Sequence, residues 1–462
     1  MSDSPLRSLL APARYLSRAE MEDLTRRVLG FSTADETRVT INSGTRGNTR
    51  FAVNQISTAG DSYNTTITVR SAFGRKAANS TTNKADDESL RAVVGVAERL
   101  ARLAPDDPEA MPELGPQSYE TVPPLHGWSD ATASLEPDAR ANAVREISMP
   151  ARADDLRSTG YLETQAGAFG VATSRGLFAY GRQTGAALTS TVRTPDGTGS
   201  GWAGASHFDW SAIDAGRIGA RAIDKASRSR DPVAVEPGRY TVVLEPTAVG
   251  NLVQLLAFSL NARAADEGRS FFTKPGGGNK IGLQVVDERV SIVSDPLDPV
   301  APALPFSGDG FPASRTLWLE NGIVRNLAYD RYWAQKMSRT PTPLIGTIRM
   351  SGGDSSVDEM VGSTERGILV TRFWYIRSVD PRTILYTGLT RDGTFLIENG
   401  RVTGPVKNMR FNESPVFMLN NLEAMGQPVR VSASEDGSPG FAVVVPAIKV
   451  RDFNFTSLSD AI

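Results

Sequence analysis

Cysteine is absent from this chain of 462 residues, and histidine nearly so. The absence of cysteine excludes disulfides, thiolate nucleophiles, iron–sulfur clusters and every zinc site that contains cysteine. The two histidines, His126 and His207, lie far apart in the sequence. Because a zinc enzyme usually needs three protein ligands with imidazole prominent, these two residues predict no self-contained zinc centre.

An excess of either charge is also missing. Fifty basic and 52 acidic residues give a formal net charge of −2, whereas a nucleic-acid surface normally needs a basic excess. No apolar run approaches the roughly 20 residues that span a bilayer, and the first residues lack the pattern of a signal peptide. We therefore expect no nucleic-acid partner, no membrane contact and a cytoplasmic location.

Patterning divides the chain into four parts. Residues 1–104 predict a small α/β domain that reads as a helix, three strands (37–41, 49–56 and 65–73) and a helix. Residues 105–124 contain six prolines and predict a linker. We expect residues 125–232 to form a central α/β domain with strands near 160–173, 176–183 and 186–193.

Residues 235–462 predict a large β-rich C-terminal domain, so the expected fold class is α+β. Strands are expected at several segments, among them 281–286. The pairs Asn321-Gly322, Asp392-Gly393, Asn399-Gly400 and Asp436-Gly437 are typical of tight turns. One segment, about 247–264, is apolar on most faces and predicts a buried helix.

Chemistry-bearing residue types give weak signals when they are considered singly. His207 could serve a Ser–His–Asp arrangement, but the chain has no G-x-S-x-G turn. The acidic groups 86–88, 154–155 and 358–359 are interpreted as helix-start charges. The glycine-rich segment 274–280 lacks the residue order of a P-loop, so a mobile surface loop, able to act as a gate or docking element, is the better interpretation.

Several motifs in order along the chain do point to a family. They are Arg50-Phe51-Ala52-Val53-Asn54-Gln55-Ile56, Pro305-Phe306-Ser307-Gly308-Asp309-Gly310 with Arg315-Thr316-Leu317-Trp318-Leu319-Glu320-Asn321-Gly322 and Asp330-Arg331-Tyr332, the segments 351–359 and 363–372, and the segments 395–400 and 404–408. Together they resemble the TldD/PmbA (TldD/TldE) proteins. The resemblance implies a three-part fold and a two-subunit peptidase. In that family the TldD-type subunit carries H-E-x-x-x-H and a later cysteine as zinc ligands, and the TldE or PmbA type lacks them.

The clearest difference from the zinc subunit lies in the apolar helix predicted for about 247–264. There Gln254, Leu255 and Ser259 match the positions of the first histidine, the glutamate and the second histidine. The late cysteine has no counterpart, and the nearest matching segment is 434–437. An amide and a hydroxyl are poor zinc ligands and leucine cannot act as a base. The resemblance thus implies no cofactor in this chain, with zinc expected in a TldD-like partner subunit.

The leading hypothesis is a non-catalytic TldE/PmbA-like subunit of a heterodimeric zinc metallopeptidase that acts on unfolded or small peptides held in extended form. One alternative is a peptide-binding or scaffold homodimer without proteolysis. Another is a hydrolase that uses a different constellation, such as paired carboxylates or a serine with His207. The sequence leaves open the substrate, the partner chain, and whether peptides are matured or degraded.

Overall fold

The structure is a computed structural model that describes residues 15–120, 127–433 and 441–459. Its helices are α1 (Arg18–Phe31), α2 (Asp87–Leu103), α3 (Asp130–Ala133), α4 (Pro137–Ala153), α5 (Ala215–Arg228), α6 (Pro246–Phe258), α7 (Ala262–Asp266), α8 (Arg331–Lys336), α9 (Val357–Gly362) and α10 (Pro415–Asn420). None of these helices combines the length and apolarity that a membrane span requires.

The strands of the N-terminal half are β1 (Glu36–Ala52), β2 (Gln55–Phe73), β3 (Lys76–Thr82), β4 (Arg157–Thr173), β5 (Phe178–Arg193) and β6 (Ser200–His207). Those of the C-terminal half are β7 (Gly238–Leu244), β8 (Ile292–Ser294), β9 (Thr316–Glu320), β10 (Ile323–Val324), β11 (Thr347–Met350), β12 (Arg366–Asp380), β13 (Leu385–Glu398), β14 (Arg401–Pro405), β15 (Met409–Glu413), β16 (Leu422–Met425), β17 (Val429–Val431), β18 (Ala442–Val445) and β19 (Ile448–Leu458). This distribution of helices and strands confirms the predicted α+β class.

The first six strands form one antiparallel sheet in the order β3-β2-β1-β4-β5-β6. Strands before and after the proline-rich segment therefore belong to the same sheet. Val39 and Ile41 pack with α1 and α2, and Phe51 packs with α4 and α5. Because alternate residues of a strand point to opposite faces, all four helices cover one face, and the other face is open to the C-terminal half.

The C-terminal half contains a closed five-stranded barrel and a second sheet. The barrel runs β12-β7-β19-β15-β13 and closes where β13 pairs with β12. The second sheet has the order β10-β9-β8-β11-β18-β17. Helix α6 packs between β12 of the barrel and strands β17 and β18, and its apolar side chains join the largest buried cluster of the described residues. Burial of α6 was predicted from its composition and is confirmed.

The proline-rich segment packs against the first sheet. Residues 105–120 form neither helix nor strand, as their prolines predict. Glu113 is 4% exposed and accepts hydrogen bonds from Arg38 at 3.3 Å and Arg70 at 2.8 Å. The Tyr119 hydroxyl donates to the Gly310 carbonyl at 2.8 Å. This segment thus ties the first sheet to the C-terminal half.

Several predicted strand boundaries were wrong. The strand expected at 49–56 crosses the turn between β1 and β2, where Val53 and Asn54 have φ angles of 51° and 61°. The strands expected at 176–183 and 186–193 are one strand, β5. The segment 281–286 forms turns rather than a strand, because Gly282 has φ 89° and interrupts the extended backbone.

One helix-start interpretation was wrong and two are confirmed. Asp86 accepts from the Ser89 amide before α2, and Ser356 forms a capping box with Glu359 at the start of α9. Asp154 and Asp155, however, follow the last turn of α4. Pro137 begins that helix, and Asp155, just beyond its end, lies in the left-handed region with φ 54°.

Candidate functional site

Helix α6 carries the three positions that the sequence singled out. Gln254 and Leu255 are partly exposed in its last turns, and Ser259 is its C-cap residue. The helix predicted for 247–264 was wrong in length. The Ser259 hydroxyl donates to the Leu255 carbonyl at 2.9 Å, and Asn261 then caps α7 by accepting from the Ala264 amide.

This arrangement does not fit a zinc centre of the family type. The Ser259 hydroxyl is committed to the helix backbone, and Leu255 packs against the apolar core. Within residues 15–120, 127–433 and 441–459, no three His, Asp or Glu side chains are grouped so that they could hold a metal ion. The segment 434–437, which matches the region of the family's cysteine, lies outside the described residues, as does the expected Asp436-Gly437 turn.

His207 ends β6 and has its own backbone partner. The Asp209 amide donates to its Nδ1 at 3.0 Å, and the ring stacks on Phe208. The Asp209 carboxylate instead accepts from the Ser129 hydroxyl at 3.1 Å. Burial, followed by the charge of Arg430, lowers the pKa of His207, so the ring is neutral at pH 7. The described residues therefore contain no Ser–His–Asp relay at His207; His126 lies outside them.

The glycine-rich loop is exposed and does not begin a helix. Gly276, Gly277 and Gly278 all have positive φ angles, and the Lys274 amide donates to the Gly278 carbonyl at 2.9 Å. The side-chain Nδ2 of Asn279 donates to the Asp266 carboxylate at 2.7 Å and to the Tyr329 hydroxyl at 3.0 Å. One end of the loop is thus anchored, and its geometry is not that of a phosphate-binding P-loop; its role as a gate stays a prediction.

The Asp392-Gly393 pair is a bulge rather than the predicted turn. It lies inside β13, where the register with β12 shifts. Asp392 is 2% exposed, forms an ion pair with Arg372 and accepts from the Ser200 hydroxyl at 2.6 Å. Gly393 has φ 121°. By contrast, Asn321-Gly322 and Asn399-Gly400 connect consecutive strands as predicted.

A groove separates the open face of the first sheet from the C-terminal half. It consists of two adjoining cavities of about 420 Å³ and 370 Å³ that share Gln165, Gln183 and Leu304. The floor belongs to β1, β2, β4 and β5 and includes Asn42, Gly44, Asn64, Gln165, Gly167 and Gln183. The roof includes Leu304, Phe306, Ile345, Arg430 and Phe441. A Cβ at Gly181 would lie 2.4 Å from the Leu304 side chain, so floor and roof approach closely.

The groove adjoins the end of α6. Phe441, which lines the larger cavity, meets Phe258 edge to face with ring centroids 5.1 Å apart. Phe258 directly precedes Ser259 at the end of the helix. Phe306, Ser307 and Gly308, part of a motif noted in the sequence, line the same cavity. That motif was the one sequence signal for the groove.

Arg430 is the charged residue among the groove residues that sequence analysis missed. It lies in β17, lines the larger cavity, and donates from Nη1 to the Val300 carbonyl at 2.6 Å. Its Nε is buried without a hydrogen-bond partner. Burial lowers the pKa of Arg430 to about 10, so the guanidinium is still charged at neutral pH.

Comparison with known proteins gives two family matches. Residues 237–457 match the PmbA/TldA metallopeptidase C-terminal domain, and residues 130–230 match its central domain. The chain is 24% identical over 261 residues to a metalloprotease of Methanothermobacter thermautotrophicus, covering 52% of this chain and 55% of that protein. It is also 24% identical over 209 residues to a metalloprotease TldD homolog of Buchnera aphidicola, covering 42% of each. The match thus spans about half the length of these relatives.

Solved structures are similar over nearly the whole chain. TldE from Thermococcus kodakarensis has 18% identity and a TM-score of 0.82, covering 94% of this chain and 99% of that one. A protein of Bacteroides thetaiotaomicron described as a putative modulator of DNA gyrase has 19% identity and a TM-score of 0.81, covering 96% and 100%. At these identities the likeness establishes the fold.

Proposed function

Because the chain belongs to the PmbA/TldD metallopeptidase family, we propose that it is the non-catalytic, TldE/PmbA-like subunit of a cytoplasmic heterodimeric zinc metallopeptidase. The TldD-like partner supplies the zinc, and the complex cuts unfolded or small peptides. The observation that carries this proposal is the chemistry of α6. Gln254, Leu255 and Ser259 occupy the positions of the family's zinc ligands and general base, and their side chains cannot serve in those roles. This chain shapes the peptide channel and supports the partner.

The groove supports a role in holding extended peptides. Its floor is rich in glycine and uncharged amides, and no described strand pairs with the outer edge of residues 178–183 in β5, so strand backbone is accessible to a second chain at that edge. Backbone pairing of this kind tolerates many side chains because it reads amide groups. Such tolerance suits an enzyme for unfolded peptides.

The outer edge of β2 supports pairing with another chain. β3 pairs only with Ile67–Phe73 of β2, and no described strand pairs with the outer edge of residues 55–66. This edge contains neither lysine nor proline, the residues by which proteins commonly block edge-to-edge association. An unprotected edge of this length is suited to a partner subunit.

Co-expression with a TldD-type subunit tests the proposal. We expect a stable complex with one zinc per heterodimer, cleavage of unfolded peptides that a chelator abolishes, and no stoichiometric zinc in this chain alone. Metal analysis and size-exclusion chromatography with light scattering measure these quantities. A chain that stays monomeric beside its partner, or that binds zinc alone, would contradict the proposal. A homodimer that binds peptides without cleaving them would favour the scaffold alternative.

A groove variant tests the channel. Asn64→Trp places a large side chain at the floor of the smaller cavity, where we expect peptide cleavage by the complex to fall at least tenfold. Asn79→Trp is the matched control, because Asn79 is exposed on β3 outside the groove. Equal cleavage by both variants, with complex formation intact, would argue against a substrate path through this groove.

A further inference from the structure

The groove contains a half-buried cation, Arg430, that forms no ion pair with the described residues. Nη1 of Arg430 is held by the Val300 carbonyl, while Nε is out of contact with water and has no partner. Nη2 likewise makes no hydrogen bond to the described residues. Leaving a charged donor unsatisfied in a cavity costs free energy. A ligand oxygen cannot reach an Nε that water cannot reach, so the N–H groups that remain for an acceptor are those of Nη2 and the second hydrogen of Nη1.

The nearest carboxylate is already used. Asp298 is the acidic residue whose charge acts on Arg430, but its two oxygens accept from Arg349 at 2.6 and 2.7 Å. Arg430 forms no ion pair with any described residue. Arg140 also has a buried Nε without a partner, yet it forms an ion pair with Asp61. Arg430 thus lacks the carboxylate partner that the more deeply buried Arg140 has.

The surroundings of Arg430 suit a singly charged, partly apolar ligand. The larger cavity is lined by Phe208, Leu304, Phe306, Ile345 and Phe441 together with neutral polar groups. His207, behind Phe208, is neutral at pH 7. One guanidinium edge matches one carboxylate in two-pronged hydrogen bonding. Phosphate sites usually gather several cationic donors or a helix N-terminus, whereas Arg430 is the one charged residue among the described residues that line this cavity.

We propose that Arg430 binds the C-terminal carboxylate of a peptide that lies along the groove. The peptide's last residue then occupies the larger cavity, and the preceding residues extend over Gly167 and Gly44 into the smaller one. This inference rests on the proposed peptide-holding role. It adds the feature of the peptide that is recognised, a free C-terminus, and fixes the direction of the chain in the groove.

Calorimetric titration of the full-length chain with three peptides tests the assignment. The probes are N-acetyl-tetraalanine as the free acid, the same peptide as the amide, and N-acetyl-Ala-Ala-Asp-Ala-amide, which moves the carboxylate to a side chain. We expect the free acid to bind at least tenfold more tightly than either amide. Because the partner is not required, failure here is distinguishable from failure to form a zinc-dependent complex.

Variants of Arg430 complete the test. In Arg430→Gln we expect acid and amide to bind equally, and Arg430→Lys should restore part of the preference. Arg325→Gln, at an exposed ion pair with Glu320, is the control and should keep the full preference. Because acid and amide are compared within each variant, a general loss of stability does not mimic the result.

Three outcomes would overturn the proposal. They are equal or undetectable binding of acid and amide to the unmodified chain, retention of the preference in Arg430→Gln, and equal binding of the free acid and the aspartate peptide. The last outcome would show that a carboxylate is bound without regard to its place in the peptide.

Discussion

Arg372 and Arg430 both lie partly or wholly out of water in the C-terminal half of the chain, but of the two only Arg372 forms an ion pair within the part of the chain that the structure describes. Arg372 pairs with Asp392 and lies against Trp202 and Trp374. Arg430 donates one hydrogen bond, from Nη1 to the Val300 carbonyl, and its Nε has no hydrogen-bond partner. A buried charge with its partner is part of the fold, whereas a buried charge without one is available to a ligand.

Carboxylates of the same region show the same contrast. Burial opposes the ionisation of Asp392, but Arg372 and the Ser200 hydroxyl outweigh it and keep the pKa of Asp392 below its ordinary value. Glu413 is 3% exposed, and among the described residues its carboxylate accepts from the backbone amides of Ser414 and Asn454. Burial raises the pKa of Glu413 to about 7. Partner groups, rather than depth of burial, thus decide which charges are stable.

The largest effect is expected from breaking the complete pair. Arg372→Ala leaves the buried Asp392 with the longer ion pair to Arg391 at 3.8 Å, so we expect the free energy of unfolding to fall by about 3 kcal/mol. Urea unfolding followed by circular dichroism measures the change. Arg325→Ala is the control on an exposed pair, where a loss of no more than about 1 kcal/mol is expected. Similar losses in both variants would mean that the Arg372 pair is not a structural element.

An effect of similar total size, spread over a defined pH range, is expected from Glu413. Its folded pKa of about 7 lies above the ordinary value of 4.5, so the folded state holds this proton more tightly than the unfolded chain does. The resulting stabilisation is present below pH 4.5 and is lost as pH rises through 7, by about 3 kcal/mol in total.

Unfolding of Glu413→Gln across pH 4–8 checks this expectation. The glutamine cannot titrate, so the stability of the unmodified chain relative to the variant should decline over that range. A constant difference between the two proteins would contradict the raised pKa. The variant's own pH dependence accounts for every other titrating group.

Local sequence patterns correctly predicted the features that are determined by residues close together in the sequence. The Asn399-Gly400 turn, the caps of α2 and α9 and the burial of α6 were all found this way. The same reasoning failed at Asp392-Gly393, because the partners of Asp392 are Ser200, 192 residues away, and Arg372. Nothing local distinguishes an Asp-Gly turn from an Asp-Gly bulge held by distant groups.

Arg430 was beyond sequence reasoning for a related reason. It alternates with Val429 and Val431 in a short strand, which resembles a half-exposed position. Its burial arises from the first sheet and from the segment that contains Val300. The groove motif 305–310 was recognised by family resemblance, but only the folded chain brings it to the same cavity as Arg430.

The smallest effect on the free energy of unfolding is expected for the substitution of Arg430, the arginine without an ion pair to a described residue. The surroundings of Arg430 stabilise its charge only a little. Arg430→Met removes the free-energy cost of desolvating that charge, and this offsets the lost hydrogen bond to Val300. We therefore expect the free energy of unfolding to change by less than about 1 kcal/mol, measured as for Arg372→Ala, while the preference for free-acid peptides disappears. A loss as large as that of Arg372→Ala would make Arg430 a structural residue. Near-unchanged stability with lost selectivity is the signature of a residue whose electrostatic partner is the ligand.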